Sequence, residues 1–211
     1  MQSTDWLFIA QRLQALAQAG LTYSQGGYDR ERYEEIRVLS VRILSNLTDE
    51  PIEKIAPLFT AETNYPTPKV DVRAVIFRAA DEVLMVQEKI DQNRWTLPGG
   101  WADVGYTPFE VAAKEVWEET GLVVRPVRLL AVFDKKRHPH PLQPWYVYKF
   151  FIRCEVTGGE ILPETAETGG CRWVNRAEIQ TLPLSLDRTT ASQIETMFTF
   201  ATNPAAPALC D

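Results

Sequence analysis

Hydrophobic positions change rhythm near residue 70. Before it they recur at helical spacing: Trp6, Ile9, Leu13, Leu16 and Ala17 share one face, with Gly20 as the expected stop. A second helix is expected over 29–47, striped by Tyr33, Ile36, Ile43 and Leu47, and a third from Asp49, with Pro51 in its first turn, to Phe59. The run Asn64-Tyr-Pro-Thr-Pro-Lys69 breaks the period and predicts a linker. Beyond it the period falls to two. Val70, Val72, Ala74 and Ile76 alternate with Asp71 and Arg73, and further strands are expected over 83–86, 122–134, 145–156 and 171–174. Thr157-Gly-Gly-Glu160 carries a hairpin-turn signal, Asn175 and Glu178 can form a capping box, and a last helix is expected near Asp187.

This order predicts an α/β chain: a small N-terminal helical domain (1–63), a linker (64–69), a sandwich with a mixed sheet (70–200) and a frayed tail (201–211). The second helix carries Val38 and Val41 off its main stripe, and a helix apolar on more than one face needs a second partner surface. A bundle of some sixty residues is also marginal alone. A homodimer through the helical domain is therefore expected.

Net charge of −6 argues against general nucleic-acid binding. Three cysteines without C-x-x-C spacing argue against a disulfide framework or zinc site and fit a reducing cytoplasm. The apolar run Trp6–Ala10 is too short for a signal peptide or membrane span, so a cytoplasmic location is expected.

Chemistry concentrates in Leu97–Leu122. Thr107, Pro108 and Glu110 open a helix with a capping box, and Gly121 ends it. Phe109, Ala113, Val116 and Thr120 fall on the side expected to meet the sheet, while Glu115, Glu118 and Glu119 share another face. Carboxylates at i, i+3 and i+4 repel one another, so a cation is expected there. Hard oxygen donors suit Mg²⁺ or Mn²⁺, and the Gly99-Gly100 loop in front can offer a carbonyl.

This segment resembles the Nudix box, G-x5-E-x7-R-E-U-x-E-E-x-G-U. Gly100, Glu115, Val116, Glu118, Glu119, Gly121 and Leu122 match in register, which is seven of the nine fixed positions. Tyr106 replaces the first Glu, and Lys114 replaces the Arg, keeping the charge but losing the bidentate fork. The resemblance implies a Nudix α/β/α fold and Mg²⁺- or Mn²⁺-dependent hydrolysis of a nucleoside diphosphate linked to a moiety X. Metal ligands would be Gly100, Glu115, Glu118 and Glu119. Runs at 17–23, 29–33, 65–73 and 101–106 further resemble a subgroup with a helical N-terminal extension, which includes bacterial CDP-choline pyrophosphatase and ADP-ribose-type hydrolases; Tyr106 fits that subgroup.

Outside the box, Glu164 and Glu167 are candidates for a further metal ligand or general base, with Glu167 favoured as nearer a strand. Arg73 and the basic run Lys135, Lys136 and Arg137 are candidates for the diphosphate or X, and Trp95 and Trp101 for base stacking. His138 and His140 lack a third ligand, and Cys154 reads as packing. Two other classes stay open: a Nudix-like module that senses its ligand without cleaving it, which should have lost box glutamates, and an enzyme acting on RNA ends, which should show steep salt dependence.

Overall fold

The computed structural model describes residues 3–48, 53, 56, 57, 59 and 64–211. The third helix expected over 49–59 falls largely outside these residues. The chain forms two compact units, Met1–Pro68 with Leu142–Tyr146, and Lys69–Pro141 with Val147–Asp211.

In the first unit, α1 (Ser3–Tyr23) packs on α2 (Gly27–Thr48). Leu7 and Ala10 meet Val41 and Leu44 in its core. The buried stripe of α1 lies off the expected one. Leu7, Ala10, Gln14, Ala17, Gln18 and Leu21 are buried, whereas Trp6 and Leu16 are exposed. Two glutamines inside the interface hid this face from a hydrophobicity pattern. Gly20 does not stop α1 either. A Cβ there would lie 2.5 Å from the Tyr33 ring, so Gly20 is where α2 comes close. On α2, Val41 is buried within the unit, and Val38 and Leu39 are the exposed pair. Gln11 donates to the carbonyls of Gln143 and Trp145 at 2.9 and 3.1 Å, tying 142–146 to α1. Trp145 accordingly lies near Phe59 and does not begin a strand.

The second unit is a mixed sheet between helices. Its strands are β1 (Lys69–Ala79), β2 (Glu82–Glu88), β3 (Arg94–Thr96), β4 (Gly99–Trp101), β5 (Leu122–Asp134), β6 (Val147–Gly159), β7 (Thr168–Asn175) and β8 (Leu209–Cys210). The main path runs β3-β2-β1-β6-β5-β8, with β4 on β1 and β7 on β2. β1 is parallel to β6 and β8 to β5; the other pairs are antiparallel. The β5–β6 register slips near Val123, Pro126 and Leu129.

Helix α3 (Pro108–Thr120) covers one face: Val111, Ala112 and Val116 pack with Val72, Ala74, Ile76, Ile152 and Cys154. Phe109, expected against the sheet, is exposed instead. Helix α4 (Ala191–Thr202) covers the other face, where Ile194, Met197 and Phe198 meet Val75, Val83, Met85, Phe133 and Phe151. Because both faces are covered, Asp71 and Arg73 are buried although the alternation of β1 reads as one-sided. Two further expectations fail. Thr157–Gly159 continue β6 against β5, so no hairpin turn forms there. The segment after α4 is not frayed: Leu209–Cys210 pair with β5, and the Asp211 carboxylate accepts from the Asp134 amide at 2.9 Å.

Candidate active site

The site begins at the N-terminus of α3. Thr107 and Glu110 form the reciprocal capping box, Pro108 opens the first turn, and Gly121 closes the helix in a left-handed conformation. This fixes the helix in rotation and places Glu115 and Glu119 one turn apart against β4. The Gly99 amide donates to Glu119 Oε2 at 2.8 Å. Gly99 has φ +141°, and a Cβ there would lie 2.0 Å from the Val72 carbonyl oxygen, so only glycine lets β4 approach β1 so closely. A Cβ on Gly100 would sit 2.9 Å from Glu115 Oε1, so this second glycine leaves a cradle filled by that carboxylate.

Behind the loop, Arg73 is 4% exposed. Its Nε donates to Asp71 Oδ1 at 2.9 Å and a terminal nitrogen donates to the Leu97 carbonyl at 3.2 Å. Lys149 on the neighbouring strand holds the other Asp71 oxygen. Arg73 is also a countercharge to Glu119 and Glu88.

Glu119 is 4% exposed, and burial pushes its carboxyl up to about 8 against the pull of Arg73; Glu88 and Glu115 add to the rise. Burial likewise raises Glu115 and Glu88, with Glu167 a further repelling neighbour of both. Glu88, Glu115, Glu119 and Glu167 thus form one like-charged group. Glu118 lies at the rim of this group: it adds to the rise of Glu115, and its side chain is 40% exposed and accepts from the Lys114 amine at 2.8 Å, with that amine 4.0 Å from Glu115 Oε1. Lys114 therefore sits where the box has Arg and pairs with a box glutamate one turn on. Glu164 is elsewhere, paired with Lys89 at 2.5 Å.

Among the described residues, no three Asp, Glu, His or Cys side chains are closed up as a metal cage. The donor set nevertheless fits a hard divalent cation. Two partly desolvated carboxylates flank a glycine cradle, both raised by burial, Glu119 further by Glu115 and Glu115 further by Glu118 and Glu167, and a cation there would relieve that repulsion.

The expected ligand-binding residues divide. Lys135 is buried, and burial pushes its amine down to about 8 beside Asp187, Asp71, Arg73 and Arg188. Lys136 and Arg137 are exposed, with Lys136 3.7 Å from Asp134. Trp95 carries the Arg172 guanidinium 5.0 Å from its ring centroid, so one face is taken; Trp101 is exposed. His140 Nδ1 donates to the Leu186 carbonyl at 2.6 Å, and burial pushes the pKa of the ring down to about 3. Cys154 is buried and its thiol is pushed up to about 12, as packing requires. Three site residues escaped the sequence reading: Glu88, Lys149 and Arg188. Glu88 ends the apolar strand β2 and Lys149 sits inside β6, so a charged residue within a buried strand was the available signal. Arg188 lies in a segment without a motif.

Comparison with known proteins accords with this geometry. Residues 67–196 match the NUDIX domain model, and residues 4–59 match the model described as a UDP-X-like, N-terminal oligomerisation domain. YjhB of Bacillus subtilis (strain 168), provisionally named an ADP-ribose pyrophosphatase, is 43% identical over 209 residues, covering 99% of this chain and 98% of the relative. The crystal structure of a UDP-X diphosphatase covers all of both chains at 34% identity and a TM-score of 0.61. An ADP-ribose pyrophosphatase from Streptococcus suis 89-1591 matches 69% of this chain and all of its own, at 35% identity and a TM-score of 0.60. The chain belongs to the Nudix hydrolase family, and its Nudix domain follows an N-terminal helical domain of the UDP-X-like type.

Proposed function

We propose that the protein hydrolyses the pyrophosphate linkage of a nucleoside diphosphate joined to a second moiety X, of ADP-ribose, CDP-choline or UDP-X type. The products are a nucleoside monophosphate and phosphorylated X. The observation that carries this reading is the group Glu88, Glu115, Glu119 and Glu167 around the Gly99-Gly100 turn, with Arg73 and Arg188 at its border.

Mg²⁺ or Mn²⁺ would be held by Glu115, Glu119 and the Gly100 carbonyl, with Glu118 able to join by releasing Lys114. When bound, the ion neutralises charge developing on the diphosphate and acidifies bound water. The chain's own residues supply the rest. Glu167, exposed at the mouth of the acid group, takes the proton from the attacking water. The water oxygen bonds to one phosphorus, the bridging P–O bond breaks, and the bridging oxygen leaves with the other phosphate. Arg73, committed to Asp71 and the Leu97 carbonyl, keeps the glycine turn in place throughout.

We assign the N-terminal unit to homodimerisation. Trp6, Phe8 and Leu16 on α1 and Val38 and Leu39 on α2 are exposed apolar side chains of that unit, and the family model matching it is described as an oligomerisation domain. No described helix is long and apolar enough to cross a membrane. Free Cys154, Cys171 and Cys210 and a nucleotide substrate fit a cytoplasmic site of action.

The test is a panel of ADP-ribose, CDP-choline, UDP-sugars, NADH, dinucleoside polyphosphates and 5′-triphosphate RNA with Mg²⁺ or Mn²⁺, read by phosphatase-coupled phosphate release. Metal-dependent turnover of an NDP-X compound is expected. Turnover of the RNA alone, or of nothing by a folded protein, would overturn the proposal.

A further inference from the structure

Arg188 reaches the acid group from a segment that carries no family motif. Its Nε lies 2.9 Å from Glu88 Oε1, and a terminal nitrogen donates to Ser185 Oγ at 3.2 Å, 4.0 Å from Asp91. The segment is tied down along its length. The Trp95 amide donates to the Pro183 carbonyl and the Ser185 amide to the Trp95 carbonyl, both at 2.9 Å. The Ser185 hydroxyl donates to Asp91 at 2.7 Å, and the Thr189 and Thr96 hydroxyls are 3.0 Å apart. Such fastening holds a guanidinium in one place at little further entropic cost.

The two arginines bordering the acid group differ in what they have left to offer. Arg73 is sealed in at 4% exposure, with its Nε and one terminal nitrogen donating to Asp71 and the Leu97 carbonyl. Arg188 keeps 26% of its side chain exposed, with one edge held and, among the described residues, no hydrogen bond from the remaining terminal nitrogen. Lys135 lies within electrostatic reach and repels it. Arg188 beside Glu88 and Asp91, and Lys135 beside Asp187 and Asp71, are two held cations within electrostatic reach of each other, and an anion at the open edge of Arg188 would relieve their mutual repulsion.

We propose that Arg188 binds the diphosphate of the substrate through its open edge, with Lys135 beside it and with Glu88 and Ser185 holding the guanidinium in position. This rests on the hydrolase reading above. It makes Arg188 a reader of the phosphates and not of the base, so its loss should penalise every NDP-X substrate equally.

The experiment measures binding of methylenediphosphonate, a diphosphate that cannot be cleaved at its bridge, to the full chain in Mg²⁺ by titration calorimetry. Arg188→Gln should weaken it about ten- to a hundredfold, and Arg188→Lys, which keeps the charge and loses the fork, by less. kcat/KM for ADP-ribose, CDP-choline and a UDP-sugar should fall by the same factor. Unchanged affinity in folded Arg188→Gln would overturn the proposal, as would absence of binding by the unsubstituted chain. If Arg188→Gln fails to fold, Ser185→Ala tests the same guanidinium by removing one of its holds, and a loss of severalfold is expected; unchanged affinity there would overturn it. An Arg188-dependent affinity in a chain that cleaves nothing would sink the hydrolase reading alone. Cleavage with an affinity indifferent to Arg188 would sink this proposal alone.

Discussion

Lys149 and Asp71 stand opposite each other on parallel strands and form an ion pair sealed from solvent, with Lys149 wholly buried. Asp71 bridges Lys149 to Arg73, and Arg73 holds the Leu97 carbonyl just before the glycine turn. A buried charge whose partner is removed typically costs about 3–5 kcal/mol. Lys149→Met should fall at the low end of that range, because Arg73 still faces Asp71. Urea denaturation followed by tryptophan fluorescence checks it.

The carboxylates should differ in consequence. Glu115→Gln and Glu119→Gln should each lower kcat by at least about a hundredfold at saturating Mg²⁺, since several kcal/mol of charge stabilisation are at stake. Glu164→Gln, whose parent carboxylate is paired with Lys89, should stay near the unsubstituted rate. Steady-state kinetics over the four proteins, with Glu167→Gln as the proton-acceptor test, separates them.

Adjacent glycines should fail in different ways. An alanine at Gly99 meets the Val72 carbonyl and a strained φ, so Gly99→Ala should cost about 2–4 kcal/mol of stability. At Gly100 the nearest atoms the added methyl meets are those of the Glu115 carboxylate, the far end of a flexible side chain. Gly100→Ala should therefore melt within about 1 kcal/mol of the parent while losing metal affinity. Thermal melts paired with Mn²⁺ titration distinguish the two.

His140 gives stability a defined pH dependence. Burial pushes its folded-state pKa down to about 3, below an unfolded value near 6.5. Between those values the unfolded chain binds the extra proton, so stability falls as pH drops through that window and is full above it. His140→Gln should flatten the fall between pH 7 and pH 4.5, measured as urea midpoints. An unchanged slope would show that carboxylates alone set acid stability.

Self-association should reside in the helical unit. Leu16→Glu with Leu39→Glu alters only side chains exposed in the single chain, so folding should survive. Sedimentation should then change from a dimer to a species of about 24 kDa.

Local signals made much of this readable in advance. The capping box of α3 lies within four residues of sequence, and its geometry followed from them. β5 was likewise visible as a long apolar run between Gly121 and the basic turn. The three-residue strands β3 and β4 and the two-residue β8 are too short to show a period, and they exist because longer neighbours offer them an edge. The box supplied Glu115, Glu118 and Glu119, but that Glu118 is the most open of the three and is hydrogen-bonded to Lys114 is visible only in the fold. Glu88 and Arg188 are a hundred residues apart, and no spacing rule connects them.

The slipped register of β5 has one more consequence. β6 pairs the inner side of β5 from end to end, but on its outer side β8 covers only Ala131 and Val132, so among the described residues most of that outer edge meets no strand. A straight edge of that length would invite a strand from another molecule. The breaks near Val123, Pro126 and Leu129, the missing amide of Pro126, and the charges of Arg125 and Arg128 spoil it as a template. Irregular pairing at this border thus guards the fold against fibrous association, while the inner face of the same strand stays packed under α3 through Leu122 and Val124.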